Sequence, residues 1–136
     1  MFAHGAQKLF GWFGGYGIEG TMMFFTDTIG LPYILGFVII LCESIGMVFL
    51  LTGLFTRLLS VSVIIIMLGA ITTVHLPFGF FMNWNGNLGG EGFELHVLMI
   101  GLALLPTLYG GGNISLQNWL QQKLRRRMRD EPMYFI

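Results

Sequence analysis

The chain has 136 residues, of which 54% are hydrophobic and only 10% charged; seven cations balance seven acids, and mean hydropathy is +0.73. Soluble domains carry about 25% charged residues, and a chain this short in water must show solvent much of its surface. These values exclude a soluble enzyme, a disordered tail and a nucleic-acid binder, and they point to lipid as the solvent.

Met1 to Phe13 is apolar apart from His4, Gln7 and Lys8, and it stops at Gly14-Gly15. Thirteen helical residues rise about 20 Å against a hydrocarbon core of about 30 Å. The segment therefore reads as a partial first helix: a fragment, a start assigned late, or an entry only partway into the membrane. It lacks the charge, apolar, small-residue order of a signal peptide. Gly14 to Gly30 reads as a glycine-rich loop. Within it Gly15-x-Gly17-x-x-Gly20 matches the dinucleotide fingerprint in letters, but it follows a helix remnant rather than a strand.

Three full spans follow, at 32–55, 58–75 and 93–109. Pro32 suits the first turn of the first one, Glu43 is its only charge, and Gly53 with the Thr56-Arg57 pair marks its exit. The second has no Asp, Glu, Lys or Arg and is too long for a strand. The third is shorter and carries Pro106 near its end. Residues 113–136 form a basic tail in which Ile114, Trp119 and Leu120 alternate with polar residues, and it holds Lys123, Arg125, Arg126, Arg127 and Arg129. It reads either as a helix on the inner lipid surface or as a solvated tail. Arg57 and this arginine run put one end of the spans, with the C-terminus, on the cytoplasmic side of the membrane. The loops Gly14–Gly30 and Gly79–Gly92 then lie outside. A topology signal accounts for the basic run better than a nucleic-acid patch does. The expected architecture is an all-α integral membrane bundle, one domain over 1–136.

Polar residues in lipid need partners. Glu43 lies eleven residues past Pro32, about 16 Å into its helix and near the bilayer midplane. An acid there should face the bundle, paired or protonated. Lys8 is the cation at a suitable depth, and His4 shares its helix face at i, i+4. A structural ion pair and a proton relay both fit. His75 and His96 stand at facing helix ends near Glu91 and Glu94. Interfacial hydrogen bonding explains them more simply than ligation; haem between two axial imidazoles has only their number in its favour, and no spacing points to a metal. Phe24, Phe25, Phe80, Phe81, Trp12 and Trp84 could line an apolar slot, although Trp12, Trp84 and Trp119 also read as an interfacial belt. Cys42, the lone cysteine, excludes an intramolecular disulfide.

The order His4-Gly5-Ala6-Gln7-Lys8-Leu9-Phe10-Gly11, Leu31-Pro32, Glu43, Thr52-Gly53-Leu54-Phe55-Thr56-Arg57, Val74-His75-Leu76-Pro77-x-Gly79-Phe80-Phe81 and Gly112-x-x-Ser115-Leu116 resembles the DoxX family of small bacterial membrane proteins. The resemblance implies a four-helix membrane bundle, here with a shortened first helix. It also implies association with membrane oxidoreductase systems, thiosulfate:quinone oxidoreductase among them. On that basis Glu43, His75 and Lys8 are the candidate catalytic residues, and His4, His96, Phe80 and Phe81 the candidate quinone contacts. Expected partners are the bilayer, soluble redox proteins and a second copy of the chain, because a short first helix would leave Glu43 facing lipid. A non-catalytic scaffold and a small-solute or proton conduit are the competing functions.

Overall fold

The computed structural model describes residues 1–130, all of whose regular structure is helical. Helix α1 (Phe2–Phe10) ends where Gly11 turns left-handed at φ 72°, so the first apolar segment closes before Phe13. Helix α2 (Gly17–Met23) runs on into a π-helical turn, Phe24–Thr28. This corrects the expectation of a loop over Gly14–Gly30. Thr21 and Met22 are buried, and packing against α1 and α3 holds a glycine-containing segment in a helix that its propensity would not specify.

Helix α3 (Tyr33–Thr52) is bounded by Pro32 in extended backbone and by Gly53 at φ 74°. The turn to the next helix is thus Gly53–Phe55, and Arg57 sits in the first turn of α4 (Thr56–Ala70) rather than in the turn itself. Gly53 admits nothing larger, since a Cβ there would lie 2.5 Å from the Ser115 Cβ. Helix α4 continues through a π turn, Ile71–His75, and a 3-10 turn, Leu76–Phe78. Thr72 and Thr73 donate their hydroxyls back to the carbonyls of Leu68 and Gly69 where the winding changes. The loop to Phe93 is irregular, and α5 (Glu94–Tyr109) and α6 (Leu116–Asp130) complete the chain.

α3 with 20 residues, and α4 with its extension at 23, are long and apolar enough to cross a membrane. The 16 residues of α5 rise about 24 Å, so that span is short of the full hydrocarbon thickness. The helices pack in the order α1, α3, α4, α5, with α4–α5 the most extensive contact. Met47, Val63, Met67 and Ala103 form the core between α3, α4 and α5, and Met1 packs against it. Outward faces are apolar as well: Ile34, Leu51, Leu58 and Ile65 are all exposed. Water would not support a surface of that kind, whereas lipid does.

Candidate functional site

Glu43 is residue eleven of the twenty in α3, halfway along the helix, and only 4% exposed. Its carboxylate accepts from the Lys8 ammonium in an ion pair. Gly5 brings α1 close enough to form it: a Cβ at that position would stand 2.1 Å from the Glu43 carbonyl oxygen. Ser44 then donates its hydroxyl to the Gly5 carbonyl at 3.0 Å and to the Ile40 carbonyl at 2.7 Å. α1 therefore covers the acid. The expectation that a short first helix exposes Glu43 to lipid fails, and with it that argument for self-association.

Lys8 is only partly covered by Glu43. Its ammonium lies 5.5 Å from the centre of the Phe25 ring, on the π turn after α2, and the Thr21 hydroxyl reaches the Lys8 carbonyl at 3.5 Å. His4, exposed, bonds Gln7 at 3.0 Å through Nδ1. An aromatic ring beside a lysine next to a buried carboxylate combines an apolar wall, a hydrogen-bond donor and an acid.

A second group lies at the other end of α4. The π turn Ile71–His75 aims His75 at α5, where its ring packs against that of His96 with centres 4.1 Å apart and planes tilted by 42°. Nδ1 of His75 donates to the Glu91 carbonyl at 2.8 Å, which fixes the tautomer. Nδ1 of His96 is buried without a partner among the described residues. Iron held axially by both imidazoles, at about 2 Å per bond, would place the ring centres on the order of 6 Å apart, so this contact does not fit a haem plane between them.

Other candidates go elsewhere. The Glu91 carboxylate accepts from the Asn83 amide at 2.8 Å and that of Glu94 from the Met82 amide at 3.2 Å, so both brace the loop backbone. Among the described residues no three His, Cys, Asp or Glu side chains converge to hold a metal. Phe80 packs edge-on against Phe81 and Phe93, at 5.2 and 5.4 Å. Trp12 packs on Phe10, Trp119 carries Lys123 over its ring at 5.1 Å, and Trp84 is exposed. Of the aromatic residues expected to line a slot, Phe25 is the one set against Lys8. Sequence reasoning missed Gly5, Ser44 and Thr21. A small residue one turn before Lys8 was the available signal for a close helix crossing.

The DoxX family profile matches residues 1–76, more than half of the chain. The chain belongs to the DoxX family. It is also similar to a Bacillus subtilis (strain 168) protein described as "Putative oxidoreductase CatD", with 36% identity over 121 residues that cover 85% of each chain. No solved structure matches. The matched region holds Lys8, Glu43 and His75, so this DoxX membrane protein carries those three candidate residues within the part that the family profile matches.

Proposed function

We propose that this DoxX protein is a membrane subunit of an oxidoreductase system that exchanges electrons with quinone. The Lys8–Glu43 pair, its acid buried and its ammonium set over the Phe25 ring, carries the reading. Reduction of a quinone takes two electrons, supplied by the donor of the system, and two protons. In this reading Phe25 contacts the ring, Lys8 donates a hydrogen bond to a quinone oxygen, and Glu43 takes part in returning the proton. His96, whose Nδ1 has no partner among the described residues, offers a second donor, and the tilted ring of His75 packs against it. The oxidoreductase description of the Bacillus relative agrees with this class of chemistry. The orientation we favour has the arginine-bearing end in the cytoplasm and the histidine pair outside, by the positive-inside rule.

Detergent-purified protein is extracted and analysed by mass spectrometry for retained quinone, and quinone reduction is compared between the parent and Glu43→Gln. The reading expects co-purified quinone and loss of reduction in the variant with helicity retained. Absence of quinone together with full tolerance of the substitution would overturn it. A second reading, a membrane scaffold for soluble redox partners, draws on the Gly5 contact, because the same approach that forms the pair also locks α1 onto α3. It expects a stable partner complex that survives Glu43→Gln and Lys8→Gln.

A further inference from the structure

The end of the bundle remote from the histidines has a polar construction that the redox reading leaves unused. The turn Gly53–Phe55, the loop Gly110–Gly112 and the start of α6 meet there around two adjoining hollows of about 450 and 350 Å³ that share Thr56, Gly110, Gly111 and Ser115. Thr56 borders both hollows, is 4% exposed, and its hydroxyl has no hydrogen-bond partner among the described residues. A buried hydroxyl without a partner costs stability unless something else satisfies it.

Three further features mark what that is. Helix α4 begins at Thr56 with no side-chain cap, and the amides of Thr56, Arg57 and Leu58 precede the first helical bond, from the Leu59 amide to the Phe55 carbonyl. Uncapped amides at the start of a fifteen-residue helix favour an anion. Arg57 spends one donor on the Leu108 carbonyl at 3.3 Å and is otherwise exposed beside the hollow, with four of about five N–H groups unpaired among the described residues. The surroundings are cationic: from residue 95 to 129 the chain has no acid, while α6 carries Lys123, Arg125, Arg126, Arg127 and Arg129.

Helix α6 also names the source of the anion. Leu116, Leu120, Leu124 and Met128 recur every fourth residue and are exposed, as is Trp119. A stripe of that kind beside cations fits the boundary between headgroups and acyl chains. The hollows lie at the ends of α3, α4 and α5, at headgroup depth for helices that cross the bilayer. We propose that this end of the protein binds an anionic phospholipid, with its phosphate against Thr56, Arg57 and the α4 amides and with α6 lying along the same leaflet.

The test uses the full chain in neutral detergent, titrated with phosphatidylglycerol, phosphatidylcholine or inorganic phosphate, and reads lipid retention by native mass spectrometry and the melting midpoint. Phosphatidylglycerol is expected to be retained and to raise the midpoint, with phosphatidylcholine much weaker and inorganic phosphate without effect. Arg57→Gln should weaken phosphatidylglycerol binding about five-fold. Thr56→Val, which keeps shape and charge, should weaken it as well. Equal binding of the two lipids would overturn the proposal, as would a phosphate effect matching that of the lipid, or unchanged binding in Arg57→Gln. Thr56→Val that folds and binds normally would overturn the phosphate position.

Discussion

Lys8 and Glu43, 35 residues apart in sequence, form an ion pair at the middle of α3, with the acid buried and the lysine partly open toward Phe25. Removing one partner strands the other. Glu43→Leu is expected to destabilise the protein by about 3–5 kcal/mol, and the double variant Lys8→Leu/Glu43→Leu to recover much of that loss, because a buried pair is often replaceable by apolar packing. Unfolding in detergent, analysed as a double-mutant cycle, measures the coupling. Equal losses in the single and double variants would contradict it.

Gly5 sets how closely α1 approaches α3. Gly5→Ala puts a methyl group into the backbone of Glu43 and Ser44, which no rotamer change relieves. The expected cost is about 3 kcal/mol, at the upper end for overpacking, and α1 should separate from α3. Faster amide exchange in residues 2–10, with α4 and α5 unchanged, is the signature to look for.

His96 permits a separation of structural from chemical roles. Its Nδ1 is buried without a partner among the described residues while its ring packs, tilted, against His75. His96→Phe keeps a ring in the contact and removes the unsatisfied atom, so stability should hold or rise by about 1 kcal/mol. If His96 donates to substrate, quinone reduction falls in that variant while the melting temperature does not. A loss of both together would make the histidine structural.

Asn83 ties the loop between α4 and α5 together. Its side chain donates to the Leu88 carbonyl and accepts from the Leu88 amide, each at 3.0 Å, while its own amide donates to Glu91. Asn83→Ala should free the segment 83–91, and the Glu91 carbonyl that orients His75 lies at its end. Proteolysis within the loop is expected to accelerate several-fold with the helical content unchanged.

The amino-acid sequence by itself determined that lipid is the solvent, where the long apolar helices lie, and that Glu43 needs company. Those properties follow from composition, run length and the cost of a charge in hydrocarbon, and none requires knowing which helices touch. Lys8 was legible as a partner through its depth alone. Only the tertiary structure decided that Gly5 lets α1 close over the acid, that Gly17–Thr28 is helical rather than looped, and that Glu91 and Glu94 brace backbone instead of joining the histidines. The packing of His75 against His96 belongs to the same class, because π winding at Ile71–His75 sets the direction of the first ring. Helix periodicity says which residues share a face of one helix. Which faces meet, and how closely, depends on side-chain shape across helices distant in sequence, and a single chain of letters does not encode that pairing locally.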